Sequence, residues 1–270
     1  MRVAVTGAGG LVGGALCRLA PAGWDLVAMT RTSAVPPGVP SVACELTDVS
    51  ATTAALAEIA PDVVVHCAYS RARPDIVDAT ASVVAACRAT GAALVHVSTD
   101  LVFDGGSAPY RECDEPRPTL AYGRDKWEAE RVVGSRLPDA AIVRTSIVVS
   151  ASPLDAASRW LVEALSAGRP VTLFSDEIRT PVLVEDLVES MAEIVGRPDR
   201  AGIWHVAGPE AMSRVELGHR IAAMHGLDAA PIVVASAASS GEPRPRDVSL
   251  SCGRALAALS VRPRRLGSIA

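Results

Sequence analysis

The sequence predicts an α/β fold, a doubly wound parallel sheet followed by a smaller C-terminal α/β region. Three observations carry that expectation. Short apolar runs alternate with helical patterns through the first 150 residues, a glycine-rich turn follows the first run, and the rhythm breaks beyond residue 150.

Residues 2–6 (RVAVT) read as a buried strand and residues 11–20 as the helix after it. Strand 25–29 (DLVAM), helix 50–60, strand 62–67 (DVVVHC) and helix 75–90 follow. Strand 93–98 (ALVHVS), helix 122–135 and strand 140–145 (AAIVRT) complete the series. The strands are continuously apolar, as expected where helices cover both faces of a parallel sheet. Later helices at 155–167, 185–196 and 213–225 are broken by Gly, Pro and Ser, and 235–249 reads as loop. The simplest division is a nucleotide-binding domain over 1–150 and a substrate-binding region over 151–270, interleaved with the first.

Bulk properties exclude several classes. Apolar residues make up 49%, which predicts a globular core. The formal net charge is -4, so nothing points to a nucleic-acid or anionic-membrane partner. No run of about 18 apolar residues predicts a membrane span. The start, MRVAVTGAGG, lacks the apolar stretch of a signal peptide, so a cytoplasmic location is expected. Six scattered cysteines form no C-x-x-C pair or zinc spacing, so no metal site is expected and the thiols read as reduced.

Gly7-x-x-Gly10-x-x-Gly13, with Leu11 and Val12 between the last two glycines, joins the first strand to the first helix. A phosphate needs donors without side chains in the way, and glycine backbone and a helix N-terminus supply them. This context predicts a Rossmann-type dinucleotide site. The second strand runs on into Met29-Thr30-Arg31, without the acidic residue that holds a ribose 2′-hydroxyl. Arg31 meets a 2′-phosphate instead, or else is a solvated surface arginine; NADP(H) is favoured over NAD(H).

Tyr122 and Lys126 lie four apart at the start of a helix and therefore share a face. A free phenol has a pKa of about 10, and a nearby ammonium favours the phenolate. The pair can pass a proton to a carbonyl oxygen while a nicotinamide cofactor delivers hydride to its carbon. The chain holds 25 arginines and a single lysine, and that lysine is Lys126. Thr99 ends a strand 23 residues before Tyr122, where a third hydroxyl would bind the substrate oxygen.

The glycine spacing resembles the extended branch of the short-chain dehydrogenase/reductase superfamily. That resemblance implies that Glu45 and Leu46 lie near the adenine, and that Cys67, Ala68 and Tyr69 pass beside the nicotinamide ribose. More specifically, the chain resembles the dTDP-4-dehydrorhamnose reductase family. The segments GAGGLVG (7–13), PDVVVHCA (61–68), LVHVSTDLVFDG (94–105), PYRECDEPRPTLAYGRDKWEAE (109–130), VRTS (143–146), TPVLVEDL (180–187) and RPRDVSL (244–250) carry it. The resemblance implies reduction of the 4-keto group of a deoxysugar nucleotide, with Thr99, Tyr122 and Lys126 catalytic. It also implies that Asp100 and residue 147 lie against the sugar. Arg244 and Arg246 would border the diphosphate, or form a solvated loop.

The chain departs from the family pattern where Leu101 replaces an aromatic residue and Ile147 a tryptophan. It has no asparagine for the superfamily's proton-relay water. Asp100-Leu101 lacks the Asp-Glu pair of nucleotide-sugar dehydratases. A non-catalytic NADP-binding protein, resembling the regulatory subunit of methionine adenosyltransferase, is the alternative. His66 and His96 read as core residues. Trp127, Trp160 and Trp204 pack in the core or at a subunit contact, which leaves a homodimer open.

Overall fold

A computed structural model describes residues 1–69, 75–241 and 243–267 of the chain. In chain order, the first half comprises β1 (Arg2–Thr6), α1 (Leu11–Leu19), β2 (Asp25–Thr30), β3 (Ser41–Ala43), α2 (Val49–Ile59), β4 (Val63–His66) and α3 (Ile76–Thr90). Next come β5 (Ala93–Thr99), α4 (Ala121–Arg136), β6 (Ala141–Thr145), β7 (Val148–Val149), α5 (Ala156–Ser166) and β8 (Val171–Phe174). The remainder is β9 (Ile178–Arg179), β10 (Val182–Leu183), α6 (Val184–Gly196), β11 (Gly202–His205), β12 (Met212–Ser213), α7 (Arg214–Met224), β13 (Ile232–Ala235) and α8 (Gly253–Ala258).

Seven strands form one parallel sheet in the order β11-β6-β5-β4-β1-β2-β3. The side chains of each strand alternate between two cores. Val3, Val5, Val63, Val65, Val95, Val97 and Val143 face α1 and α6, whereas Ala4, Val64, Leu94 and Ile142 face α2 and α3. This double burial explains why the central strands β1, β4, β5 and β6 run apolar without a regular polar alternation in sequence. The fold is the doubly wound α/β architecture that the sequence predicts.

The sheet does not end at residue 150. β11 pairs in parallel with β6, Gly202 opposite Ala141, and α6 packs on α1. β6 is buried along its whole length, so leaving it as a bare edge would expose apolar surface and unpaired backbone. Residues on either side of this return, α5 and β8 before it and α7 and β13 after it, build a smaller unit around Leu161, Leu165, Leu173, Leu217 and Ile221. Helix α7 starts at a capping box: the Ser213 hydroxyl accepts from the Glu216 N–H, while the Glu216 carboxylate accepts from the Ser213 N–H.

β3, β8, β11 and β13 are strands that the sequence pattern does not separate from loop, because runs of three or four residues carry too little periodicity. Most of the 235–249 segment is irregular, with Glu242 outside the described residues. Trp204 is fully buried and its indole N–H donates to the Arg200 carbonyl at 2.7 Å, whereas Trp160 is 52% exposed. No described helix is long and apolar enough to cross a membrane.

Candidate active site

Strand order reverses between β1 and β4: β2 and β3 lie to one side of β1, β4 and β5 to the other. A crevice opens outside the carboxyl ends of strands at such a switch point. The glycine turn lies there. Gly7 takes a left-handed conformation (φ +70), and a Cβ on it would sit 2.7 Å from the Ala68 backbone after β4. A Cβ on Gly13 would strike the Gly7 carbonyl oxygen. The turn is closed by Gly10 N–H donating to Gly7 O at 2.9 Å, and Gly10 caps α1 with no side chain over its first N–H groups. Leu11 and Val12 pack against the core behind. The result is a backbone cradle that a phosphate fits.

Thr6 ties the two sides of the crevice together. Its hydroxyl contacts His66 Nδ1 at 2.7 Å and accepts from the Ala68 N–H at 3.3 Å. Neither Thr6 nor this role is visible in sequence, because Thr6 reads only as the last residue of an apolar run. Arg31, just past β2, lies 3.6 Å from the Glu45 carboxylate, and both side chains are largely exposed. The residue expected at the 2′-phosphate and the one expected near the adenine are thus neighbours. Leu46 packs against the core beside them.

Helix α4 brings Tyr122 and Lys126 to the end of β5. Gly123 permits this: a Cβ there would collide with the Leu101 carbonyl, so only glycine lets α4 rest directly on the turn after Thr99. Lys126 is 4% exposed, and its Nζ donates to the Val97 carbonyl at 2.9 Å. Burial pulls its pKa down to about 8, an effect partly offset by Cys67 and Glu130. The Tyr122 and Tyr69 rings lie 5.5 Å apart, and Lys126 Nζ is 5.9 Å from the Tyr69 centroid. Burial pushes the nearby Cys67 thiol up to about 12, so it is neutral in this setting.

A buried ion pair anchors α4. Glu130, one turn beyond Lys126, accepts from Arg144 Nε at 3.0 Å and Nη2 at 2.7 Å, and from Ser98 Oγ at 2.5 Å. Arg144 is wholly buried in β6 and lies over the Phe103 ring. A charged residue inside the apolar run AIVRT is the one sequence signal that could have located this anchor.

Thr99 sits at the carboxyl end of β5. Its hydroxyl donates to Asp100 Oδ1 at 3.1 Å and accepts from the Leu101 N–H at 3.2 Å. Asp100 differs from the expectation that it meets the sugar. It is fully buried, bound by Arg179 through Nε (2.7 Å) and Nη2, and accepts from Ser146 Oγ at 2.6 Å. A carboxylate placed there without such partners would be a buried bare charge, so the fold supplies them.

The structure groups the glycine turn, Cys67, Ala68, Tyr69, Tyr122, Lys126 and Thr99 around the ends of β1, β4 and β5. Ile147 is one residue past Ser146, the donor to Asp100, and Arg244 lies in the C-terminal segment. Ile147 lines a small cavity in the C-terminal unit with Trp160, Arg214 and Leu217. Arg244 lies over the Phe174 ring and 3.5 Å from Glu177, so it is neither fully solvated nor beside the tyrosine. Leu101 packs partly buried against Phe103 and Val102.

A nucleotide crevice flanked by a paired tyrosine and lysine defines the class: the NAD(P)-dependent oxidoreductases of Rossmann type. The family model of the RmlD substrate binding domain matches residues 1–267. The chain belongs to this family, that of the dTDP-4-dehydrorhamnose reductases. It is 32% identical over 261 residues to dTDP-4-dehydrorhamnose reductase of Mycolicibacterium smegmatis, covering 90% of this chain and 75% of that one. It is also 32% identical over 273 residues to methionine adenosyltransferase 2 subunit beta of Danio rerio, covering 94% and 83%. Among solved structures, a hypothetical dTDP-4-dehydrorhamnose reductase from Sulfolobus tokodaii superposes with a TM-score of 0.85 at 27% identity, covering 97% and 96%.

Proposed function

We propose that the chain is an NADPH-dependent reductase of a keto group, and that its substrate is the 4-keto group of a deoxysugar nucleotide. The observation that carries this reading is Lys126. The chain's one lysine is buried beside Tyr122 and Tyr69, at the strand ends where the glycine turn opens. The backbone cradle of Gly7, Gly10 and Gly13 fits a diphosphate, since side chains there would fill it. Arg31 would hold the 2′-phosphate, with Glu45 and Leu46 at the adenine end. Cys67, Ala68 and Tyr69 would flank the nicotinamide ribose, whose hydroxyls Lys126 would hold. When bound, the cofactor supplies the hydride.

The chain's own residues handle the oxygen. Thr99 binds the keto oxygen and Tyr122 donates its phenolic proton to it. The Lys126 ammonium stabilises the phenolate left behind. In a spectrophotometric assay of NADPH oxidation over a panel of keto-sugar nucleotides, Tyr122→Phe is expected to lower kcat by about 10²- to 10⁴-fold. A phenylalanine variant as active as the parent would remove Tyr122 from the mechanism.

Cofactor choice is tested at Arg31. An exposed pair with Glu45 contributes little to stability, so Arg31 is available to a phosphate. A charge-assisted hydrogen bond contributes about 1.5–3 kcal/mol. Arg31→Ala should therefore weaken NADPH binding about 10- to 100-fold and leave NADH binding unchanged in a fluorescence titration. Equal losses for both cofactors would contradict the assignment.

A second reading is favoured by the likeness to methionine adenosyltransferase 2 subunit beta and by Leu101 and Ile147, which stand where the family pattern carries an aromatic residue and a tryptophan. In it the chain is a non-catalytic NADP-binding subunit. It predicts NADPH binding with no turnover of any keto sugar.

A further inference from the structure

We infer that Arg179, acting through Asp100, is a positioning residue that keeps the Thr99 hydroxyl exchangeable for the substrate oxygen. The inference rests on the reading of Thr99 as the ligand of that oxygen. A carboxylate has about four acceptor positions, and at Asp100 all are taken. Oδ1 accepts from Thr99 Oγ1 at 3.1 Å and from Arg179 Nη2. Oδ2 accepts from Arg179 Nε at 2.7 Å and from Ser146 Oγ at 2.6 Å. Asp100 therefore has no position left for a sugar hydroxyl and acts on the site through its neighbours.

The Thr99 Oγ1 contact is the longest of the four, and it is the only one from a residue at the carboxyl end of β5. With its acceptor side taken by the Leu101 N–H, the hydroxyl has one hydrogen to give. It gives it to Asp100 in the free chain and must give it to the keto oxygen during reduction. The exchange is easy only while Asp100 is neutralised by other donors. The planar fork of Arg179 does this from both oxygens at once. Without it, a buried charge with too few donors would retain the Thr99 hydrogen.

The fork itself is fixed from the C-terminal unit. Arg179 lies on β9, which pairs with β12, and the N–H of Ile178 beside it donates to the Arg246 carbonyl at 2.6 Å. The next residue, Thr180, donates its N–H to Ser146 Oγ at 3.2 Å and accepts from the Leu250 N–H at 3.1 Å. The outer nitrogen of Arg179 lies 3.9 Å from Glu177, which also faces Arg244 and Arg214. The unit that would hold the substrate thus sets the hydrogen of the residue that would bind its oxygen.

The test compares parent, Arg179→Gln, Asp100→Asn and the double variant in the NADPH-oxidation assay, alongside NADPH titration. Arg179→Gln should lower kcat 10- to 100-fold and leave NADPH affinity within twofold. The double variant, which removes the captive charge, should recover at least fivefold of that loss. A structural role alone predicts a double variant no better than Arg179→Gln, and that result, or an Arg179→Gln enzyme of parental kcat, overturns the inference. If Arg179→Gln does not fold, Arg179→Lys, which keeps a cation but not the planar fork, carries the test: a lowered kcat at parental NADPH affinity that Asp100→Asn restores supports the inference, and a parental kcat, or no restoration, overturns it. If the parent binds NADPH but reduces no keto sugar, the reductase reading has failed on its own account. The pair is then tested by the unfolding temperatures of Thr99→Val, Asp100→Asn and their double variant. Non-additive shifts support the coupling and additive ones remove it.

Discussion

Replacing Lys126 with methionine is expected to give a chain that is more stable than the parent at pH 7 and no longer reduces its substrate. Lys126 is buried, and burial has lowered its pKa from 10.5 to about 8. That depression corresponds to about 3 kcal/mol of penalty on the charged form. The lost bond to the Val97 carbonyl offsets about 1 kcal/mol of the gain, so the variant should be more stable by about 1–3 kcal/mol. The pH dependence has a definite sign. At and below about pH 8 the folded and unfolded chains both carry the proton, and the penalty is fully present. Between about 8 and 10.5 only the unfolded chain keeps it, so the penalty fades as pH rises. The advantage of methionine, measured by denaturant unfolding, should therefore shrink across that window. In the parent, kcat/KM should fall as pH rises through about 8, where the ammonium that supports Tyr122 is lost. A methionine variant that retains turnover, or is less stable than the parent at pH 7, would contradict this account.

Acid should destabilise the chain steeply below about pH 6.5. Three histidines are buried in neutral form. Burial, aided by the Lys126 charge, lowers His66 to about 3. It lowers His205 to about 4, aided by Arg144, and holds His96 well below its ordinary value. His66 and His96 sit opposite each other on β4 and β5 with rings 5.3 Å apart, and neither His96 ring nitrogen has a hydrogen-bond partner. The unfolded chain takes up protons at these residues below about pH 6.5, whereas the folded chain does not. Stability is thus complete above that value and lost as pH falls through it. Each histidine contributes a slope of about 1.4 kcal/mol per pH unit, or about 4 kcal/mol per unit for the three. Against a domain stability of about 5–15 kcal/mol, that slope exhausts the margin within about one to four pH units. Far-ultraviolet circular dichroism from pH 7.5 to 4.5 should show cooperative unfolding, and His96→Leu should shift its midpoint to lower pH. A parent whose stability to denaturant does not fall between pH 6.5 and 4.5 would refute the neutral-histidine account.

Both effects come from titratable residues that the same sheet buries for different reasons. Lys126 is carried in by a helix whose Gly123 allows close approach to the turn after β5. His66 and His96 are carried in by strands, and their side chains fill space between β4, β5 and α3. Thr80 on α3 lies 3.2 Å from His66 Nε2, so one of the two rings is hydrogen-bonded while the other is packed without a partner.

The features legible in sequence are local ones. The glycine turn, the tyrosine and lysine four apart, the threonine at a strand end and the unbroken apolar strands each depend on a few consecutive residues. Local backbone geometry and side-chain periodicity dictate them wherever the chain goes next. The strand order, β11-β6-β5-β4-β1-β2-β3, opens the crevice between β1 and β4.

What only the tertiary structure decided are the charge pairings: Asp100 with Arg179, Glu130 with Arg144, and Arg31 with Glu45. Asp100 and Arg179 lie 79 residues apart, and with 25 arginines in the chain no spacing rule selects the partner. Burial selects it, since a charge enclosed by the fold must find its counter-ion there or not be charged. For the same reason the sequence determined that Asp100 stands beside Thr99, while the folded chain decided that its carboxylate turns inward to Arg179.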